Sequence, residues 1–551
     1  MSASTVSAHT GDVGFLRWID EPDSDKAISF LSDESSEWRR LDYSTMASMV
    51  RRQASRMASM HAPGQSLLVV ADDPLEQVVM FYGALYAGLR PCLIAPPGVL
   101  GRNYTEHLRA AAGTLAPEAI YVSDTLRVSV EDACALASVV VDVRATEDSS
   151  TEYMELSAAR AVDHAAILQL TSGSSGVAKA VMLDLAGVDE HVDAILTWLE
   201  VNAEQDRAAS WLPLHHDMGL IGMLVTGVAA GLELDIMTPV QFVRAPLRYL
   251  ECFAARGATI SAMPTFGLRH IVRRVRRARL DDFDFGSWRV LIVGSERVSA
   301  DVLLAFEEHL GRNGLSDRTI CPAYGMAEAT LAVSGVPPTD RWSAVPASAV
   351  IDGEAGPVPG ALGTAGGTAS VVSCGLPVPG REVVVVDEKG CSVLDGVVGE
   401  IEVTGHSLGR RLSEGDRMSG EKFRTGDAGF VLNGQVYPLG RLGDATKSNG
   451  RTVFAEDVEE RLVAEGIDPL RCCALLGYAA QGTLAVILLE RPTPEWMAVA
   501  KRVAQSMFDG DEYRIVVAPG RSIVRTSSGK PRRRQLWSSY AHQSVEAGPS
   551  I

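Results

Sequence analysis

The sequence contains only seven lysines in 551 residues, so 44 of its 51 basic residues are arginines. The 69 acidic residues outnumber both together and leave a formal net charge of −18. A chain of this charge lacks the basic surface that binds a nucleic-acid backbone, so we expect no nucleic-acid partner. The scarcity of lysine makes Lys179, Lys447 and Lys530 informative, because all three lie in Gly- or Ser-rich stretches.

Other features that the sequence lacks exclude further classes of protein. Its eight cysteines include no CxxC pair, and their spacing fits neither a zinc site nor a disulfide framework. Residues 1–25 lack the basic start and apolar run of a signal peptide, and no apolar run is long enough to span a bilayer. We therefore expect a cytoplasmic protein with reduced cysteines and no membrane span.

Short apolar runs alternate with helical patterns over most of the chain. Strands alternating with helices predict an α/β fold with largely parallel sheets, in which ligands bind at the carboxyl ends of the strands. The predicted strands are "SLLVVADD" (66–73), "RPCLIAPP" (90–97), "AAILQL" (165–170), "RVLIVGSE" (289–296) and "TICPAYGMAE" (319–328), and a helix is predicted over 76–89.

The composition changes twice toward the C-terminus. Residues 336–370 are rich in Pro, Gly, Ala and Ser and read as a long insert. From about 374 to 440, β-branched runs separated by Gly turns predict a β-rich subdomain. We predict a large N-terminal domain over 1–441, which includes these two segments, and a small, mobile α+β domain over 442–551 that ends in a disordered tail.

The stretch "QLTSGSSGVAKAVML" (169–183) places glycines, hydroxyls and one lysine directly after a predicted strand. It is not a Walker A loop, because Gly176 is followed by Val177 and Ala178 before Lys179. Backbone N–H groups and hydroxyls in such a turn suit phosphate oxygens, but a plain surface turn explains the composition equally well.

Four further segments carry chemistry-bearing residues. "LPLHHDMGL" contains adjacent histidines, which are a poor metal signal. "YGMAEAT" combines an aromatic ring that could stack on a base with a carboxylate, Glu328, that could hold Mg²⁺. "FRTGDAG" places Asp427 in a tight turn, and "TSSGK" presents Lys530 on a flexible one.

Six segments, taken in order, resemble the motifs of the adenylate-forming superfamily. They are "TSGSSGVAK", "LPLHHDMGL", "YGMAEATL", "FRTGD", "GRLGDATKSNGR" and "SSGKPRRR". This superfamily includes acyl-CoA synthetases, luciferases and the adenylation domains of peptide synthetases. The phrases "FYGALYAGLRPCLIAPP" and "LPLHHDMGLIG" and the insert resemble the fatty acyl-AMP ligase branch. The resemblance extends from about residue 15 to 537.

The resemblance implies the reaction of a carboxylic acid with ATP and Mg²⁺ to give acyl-AMP and pyrophosphate. It implies that Lys530 spans the carboxylate and the α-phosphate, that Glu328 binds Mg²⁺, and that His216 lies between the nucleotide and acyl sites or is only structural. Asp427 would bind the ribose, Tyr324 would stack on adenine, and Asp444 would be the hinge. The other implied nucleotide-binding residues are Thr171, Ser172, Gly173, Ser174, Ser175, Gly176, Lys179, Gly294, Ser295, Glu296, Gly325, Met326, Ala327, Arg441 and Lys447.

The sequence departs from the family pattern at Arg297, where proline is common, at Ala180, where glycine is common, and at Phe454-Ala455. None of these changes removes an implied catalytic group. The acyl group would pass to the thiol of an acyl carrier protein, or the chain would make the CoA thioester itself. A non-catalytic binding subunit is the third alternative, and a fatty acid or a bulky natural-product acid would fit equally well as substrate.

Two further runs, one apolar and one charged, each allow two interpretations. "GLIGMLVTGVAAGL" (219–232) would wall the acyl pocket or form a buried core helix. "RRVRRAR" (273–279) is typical of a solvated helix face, and docking of an acidic carrier protein is the other hypothesis.

Overall fold

The computed structural model describes residues 13–32, 36–100, 104–146, 164–172, 178–346, 370–405, 407–412, 422–448, 451–479, 482–508, 511–526 and 529–540. The predicted loop residues Gly173, Ser174, Ser175 and Gly176 lie outside these ranges, as do residues 347–369 of the predicted insert.

The strands of the described residues are β1 Ala27–Leu31, β2 Trp38–Asp42, β3 Ser66–Val70, β4 Arg90–Leu93, β5 Ala119–Val122, β6 Asp142–Ala145, β7 Ala166–Ser172, β8 Ala178–Asp184, β9 Arg207–Ser210, β10 Glu233–Ile236, β11 Ile260–Met263, β12 Val290–Val293, β13 Ile320–Gly325, β14 Ala332–Gly335, β15 Ala344–Pro346, β16 Ser370–Val372, β17 Leu376–Pro377, β18 Arg381–Val386, β19 Gly399–Gly405, β20 Arg410–Arg411, β21 Lys422–Leu432, β22 Gln435–Arg441, β23 Ala445–Ser448, β24 Arg451–Phe454, β25 Cys472–Ala479, β26 Gly482–Glu490 and β27 Glu512–Ala518.

The α-helices are α1 Tyr43–Met60, α2 Pro74–Tyr86, α3 Pro97–Leu100, α4 Tyr104–Leu115, α5 Arg127–Ala137, α6 Leu185–Trp198, α7 Thr226–Ala229, α8 Pro239–Arg244, α9 Pro246–Ala254, α10 Thr265–Arg274, α11 Ala300–Leu310, α12 Ala455–Ala464, α13 Pro494–Met507 and α14 Arg533–Tyr540. A π-helical turn, Met218–Val225, precedes α7. Within the described residues, no helix combines the length and the apolar composition needed to cross a bilayer.

The largest sheet has the strand order β17-β14-β13-β12-β11-β9-β10-β1-β2. Its six central strands, from β13 to β1, are parallel, and antiparallel strands flank them on both sides. The central strands are short and almost fully buried, as expected for parallel strands covered on both faces. The predicted α/β class with parallel sheets is confirmed, and each strand predicted from the sequence is present.

A second, all-parallel sheet has the order β4-β3-β5-β6 and packs beside the β7–β8 hairpin. Four antiparallel strands, β18-β19-β21-β22, form a further sheet over residues 381–441, where the β-branched runs predict β structure. The residues after 444 form the β23–β24 pair and the sheet β25-β26-β27, with α12, α13 and α14 against them. Most of their apolar side chains form two clusters that contain only residues from Val453 onward, whereas Phe454 and Ala445 pack with the β-rich sheet.

Among the described glycines, Gly335 at the end of β14 has the least room for a side chain. A Cβ built on this residue would lie 1.8 Å from Cζ2 of Trp198, whereas a Cβ on Gly311 would have no neighbour within 4 Å. Inserting a methyl group into a filled core forces its neighbours to shift, which costs about 1–3 kcal/mol. We therefore expect Gly335→Ala to lower the thermal unfolding midpoint measured by circular dichroism, and Gly311→Ala to leave it unchanged or raise it. Equal midpoints for the two variants would contradict the close contact.

Candidate active site

The predicted phosphate loop joins β7 to β8, and Thr171 lies directly opposite Lys179 in the hairpin. Ser172 is the last residue of β7. Alternate residues of β7 pack into different cores, Ile167 into the large one and Leu168 into the one beneath the second sheet. The beginning of this strand is therefore packed on both faces. The Thr171 hydroxyl is buried and has no hydrogen-bond partner among the described residues, which leaves it available to a ligand.

The carboxyl ends of β12 and β13 meet at the same edge of the large sheet. Gly294 follows β12, and a Cβ there would lie 2.9 Å from the carbonyl oxygen of Ala323, so a side chain is disfavoured at this position. The next residue, Ser295, has a φ of +67°, a left-handed conformation that is uncommon outside glycine. Glu296 then accepts a hydrogen bond of 2.6 Å from the backbone N–H of Phe266 at the start of α10.

Three predicted nucleotide-binding side chains form one connected group. The Tyr324 hydroxyl donates to Oδ2 of Asp427 at 2.6 Å, and Nε of Arg441 lies 2.7 Å from Oδ1 of the same carboxylate. Asp427 on β21 and Arg441 on β22 face each other in the strand register, while Tyr324 comes from β13 of the large sheet. The contact thus joins the large sheet to the β-rich sheet at the predicted ribose position.

Burial raises the pKa of the Asp427 carboxyl, and the charge of Arg441 and the hydrogen bond from Tyr324 oppose that rise. A carboxylate offers about four acceptor positions. Tyr324 and Arg441 each occupy one, so Asp427 retains acceptor capacity for two ribose hydroxyls.

Glu328 lies in the 3₁₀ turn Ala327–Ala329 directly after β13, and Met326 and Ala327 beside it are buried. Its side chain is 12% exposed, and Nη2 of Arg411 lies 3.5 Å from Oε1. Over the described part of the chain, no group of three or more His, Cys, Asp or Glu side chains is arranged to hold a metal ion. Glu328 can supply a carboxylate oxygen to a cation whose coordination is completed by oxygens from water or substrate.

His216 lies at the entry to the π-helical turn, and its ring is 4.6 Å from that of His215. Burial lowers the pKa of His215 well below its usual value, which favours the neutral form of that ring. Asp217 caps the turn, with Oδ1 accepting from the N–H of Met218 at 2.8 Å. The following turn is almost entirely buried in the large core, as the core-helix alternative predicts for residues 219–232.

Lys530 is exposed on the turn that precedes α14. Its backbone N–H donates to Oγ1 of Thr526 at 3.2 Å, and its carbonyl accepts from the Thr526 N–H at 2.8 Å. Loss of solvent contact raises the pKa values of Asp217 and Asp427, and the Lys530 ammonium is close enough to oppose both shifts. Its charge also acts on Glu296. The charge of Lys530 therefore acts on carboxylates from three separate segments of the predicted N-terminal domain.

Two predicted residues lie on or beside β23, and the charge of one of them, Asp444, acts on Arg441. Lys447 is exposed on β23, and its carbonyl accepts a hydrogen bond from the Thr483 hydroxyl at 3.1 Å. Asp444, the predicted hinge, lies in a 3₁₀ turn between β22 and β23, and its Oδ2 is 3.7 Å from Nη1 of Arg533.

The structure adds two residues that the sequence analysis missed. The buried Thr425 hydroxyl accepts from the N–H of Asp427 at 3.0 Å and donates to the Ile401 carbonyl at 2.8 Å, which fixes the Asp427 backbone. Its place in "FRTGD", two residues before the aspartate, is a signal that could have indicated this role. Arg411, which pairs with Glu328, carries no such signal in a chain with 44 arginines.

The grouping of predicted nucleotide-binding residues agrees with a comparison of the sequence with known protein families. Residues 16–412 match the family described as AMP-binding enzyme. The chain belongs to the AMP-binding enzyme family. The resemblance to adenylate-forming enzymes predicted from the motifs is therefore confirmed. Tyr324 lies within the matched region, and Asp427 and Arg441 lie after its end.

Similar proteins cover nearly the whole chain. A long-chain-fatty-acid–AMP ligase, FadD26, from Mycobacterium marinum is 27% identical over 93% of this chain and 94% of its own length. A 4-hydroxyphenylalkanoate adenylyltransferase from Mycobacterium bovis is 27% identical over 87% of this chain and 83% of its own. A solved structure from work on fatty acyl-adenylate ligases of E. coli and L. pneumophila is 27% identical, with a TM-score of 0.82 and coverage of 97% and 99%.

Proposed function

We propose that this AMP-binding enzyme is an acyl-AMP ligase that activates a carboxylic acid and hands the acyl group to the thiol of a carrier protein. A carboxylate oxygen attacks the α-phosphorus of ATP, the bond from that phosphorus to the β-phosphate oxygen breaks, and pyrophosphate leaves. In the second step the thiol sulfur attacks the acyl carbonyl carbon, AMP leaves with the oxygen that joined it to the acyl group, and the thiol proton passes to solvent.

The observation that carries this proposal is the exposed turn of Lys530, whose charge acts on Asp217, Glu296 and Asp427. The first step brings an anionic carboxylate to an anionic phosphate, so the main requirement is a cation held where negative charge accumulates. An exposed lysine whose charge acts on carboxylates of the predicted nucleotide site meets that requirement. The small C-terminal unit that we propose over residues 442–551 would act as the lid that carries it.

The remaining roles follow the positions described above. We assign the ribose to Asp427 and Arg441, the adenine face to Tyr324, and the β- and γ-phosphates to Thr171 and Lys179 with the loop between them. Gly294, Ser295 and Glu296 would border adenine, and His216 would lie toward the acyl group.

Magnesium fits the residues present at Glu328. Mg²⁺ commonly binds one or two carboxylates and completes its octahedron with water and phosphate oxygens, which matches a single mostly buried glutamate. When bound, the ion would offset negative charge on the triphosphate.

We expect Glu328→Gln to raise the Mg²⁺ concentration that gives half-maximal activity by about tenfold, because an ionised oxygen ligand is replaced by a neutral amide. Glu402→Gln is the matched control, since Glu402 is 13% exposed and has Lys422 at 3.4 Å, much as Glu328 has Arg411 at 3.5 Å. A magnesium titration of pyrophosphate release compares them. The same half-saturation in both variants would contradict the assignment.

The acid class follows from the proteins that this chain resembles. One similar protein is named for long-chain fatty acids and another for 4-hydroxyphenylalkanoates. We propose that the acid is a fatty acid or an arylalkanoic acid with a substantial apolar part.

The test is ATP–pyrophosphate exchange over a panel of fatty and arylalkanoic acids, followed by product analysis with and without CoA. Acyl-AMP that accumulates despite CoA supports the ligase. Acyl-CoA as the main product would instead identify an acyl-CoA synthetase, and the absence of exchange with every acid would favour a non-catalytic member.

A further inference from the structure

Helix α12 begins with the sequence "AEDVEE" and carries four carboxylates in its first two turns. Residues three apart lie on one face of a helix, so Glu456 and Glu459 share one face and Asp457 and Glu460 share the next. Each of these two faces meets a different arginine.

The face of Asp457 and Glu460 meets Arg297 of the large sheet region. Nη1 of Arg297 pairs with Oδ1 of Asp457, and its Nε lies 3.5 Å from Oε1 of Glu460. The Arg297 side chain is only 10% exposed. The other oxygen of Asp457 caps α12 by accepting from the N–H of Phe454 at 3.0 Å. Arg297 thus contacts the beginning of the helix. It follows Glu296, which lies at the predicted adenine border, by one residue.

The face of Glu456 and Glu459 meets Arg533. Nη1 of Arg533 is 3.1 Å from Oε1 of Glu456, and Nη2 is 2.9 Å from Oε2 of Glu459. Arg533 begins α14, three residues after Lys530. The chain of contacts therefore runs from Arg297 through α12 to Arg533, and from there along the backbone to Lys530.

We propose that Arg297 is a positioning residue which holds α12, and through it the turn carrying Lys530, in the orientation that serves adenylate formation. The inference rests on the proposed function and adds a residue that contacts neither acid nor nucleotide. Removing one partner of a charge pair that is shielded from water strongly destabilises the contact, because the remaining charge is left without compensation. Removal of Arg297 leaves Asp457 and Glu460 side by side on α12 without their counter-charge and favours lid orientations in which they reach water.

The kinetic test compares Arg297→Ala with Arg502→Ala, which removes an exposed arginine paired with Glu465 on the outer side of the same unit. We expect Arg297→Ala to lower kcat for pyrophosphate exchange about tenfold with little change in the KM for ATP, and Arg502→Ala to have no effect. Glu460→Gln breaks the pair from the other side and should lower kcat about threefold.

A double variant separates positioning from a general structural role. If Arg297 acts only through Lys530, then Arg297→Ala causes no further loss in a Lys530→Ala background, because interacting residues are not additive. A full tenfold further loss in that background would overturn the inference.

The lid orientation can be measured without turnover. Cys391 is the exposed member of the eight cysteines, and Gln505 is exposed on α13, so Cys391 and Gln505→Cys can both carry spin labels. Double electron–electron resonance measures the distance between the two labels. It should give one narrow distance distribution in the labelled parent and in Arg502→Ala, and a broader or shifted one in Arg297→Ala and Glu460→Gln.

The kinetic and distance measurements distinguish failure of the inference about Arg297 from failure of the proposed function. A distribution that changes in Arg297→Ala supports the inference even if no acid is activated by the parent, in which case the proposed function alone fails. An active parent whose Arg297→Ala variant keeps both its rate and its distance distribution overturns the inference.

Discussion

Replacement of Lys530 by alanine is expected to lower the rate of acyl-AMP formation by about 100- to 1,000-fold, the range seen when one preorganised electrostatic group is removed from an active site. Lys530 is exposed on a turn, so its removal should leave the fold and the affinity for ATP largely unchanged. The loss should therefore appear in kcat.

Lys501→Ala is the matched control, because Lys501 is also exposed on the C-terminal unit but lies on α13. Transfer of a synthetic acyl-AMP to the acceptor thiol should survive in Lys530→Ala, since that step does not join two anions. Exchange at the parent rate in Lys530→Ala would remove the main support for the assignment.

Replacement of Asp427 by alanine is expected to raise the KM for ATP by about 100-fold. Each hydrogen bond to a charged acceptor contributes about 1.5–3 kcal/mol, and two ribose hydroxyls would be lost. Tyr324 and Arg441 already share this carboxylate, so we expect each ribose hydrogen bond to contribute at the low end of that range. The combined loss of binding free energy is then about 3 kcal/mol, which corresponds to about a 100-fold change in affinity.

Two controls accompany this variant. Tyr324→Phe keeps the ring and the carboxylate and should raise the KM by less than tenfold. Asp395→Ala removes an exposed aspartate that accepts from the Asn433 N–H on the same β-rich region, and it should leave the KM unchanged. An unchanged KM in Asp427→Ala, measured on folded protein, would place the ribose elsewhere.

The parts of the fold that the sequence predicts well are those set by local patterns. The strands around residues 66–73 and 289–296 are apolar runs bounded by turn residues, and the structure has β3 and β12 there. Asp427 and Tyr324 belong to short motifs, so their identification needed no knowledge of distant contacts. Their meeting at 2.6 Å joins residues 103 positions apart and could only be inferred through the family resemblance.

Long-range charge pairs are the parts that the sequence does not reveal. Arg297 is noticeable only as a departure from the family pattern, and nothing local shows that it meets Asp457, 160 residues away. The acidic start of α12 looks like an ordinary favourable N-terminus, where carboxylates interact with the helix dipole. The two arginines that these carboxylates meet are apparent only in three dimensions.

The apolar run at 219–232 is a different case. A segment that is apolar on every side has no periodicity, so its pattern cannot distinguish a pocket wall from a core helix. The structure packs its first part into the large core as a π-helical turn, a geometry that composition does not specify.

The most direct test of acyl-adenylate formation follows the oxygen that the acid donates. The enzyme is incubated with ATP, Mg²⁺, an acceptor thiol and an accepted acid whose carboxylate carries ¹⁸O, and the phosphorus products are analysed by mass spectrometry. Attack on the α-phosphorus predicts AMP with one ¹⁸O atom and unlabelled pyrophosphate. Label in inorganic phosphate or pyrophosphate, or AMP without label, would contradict it.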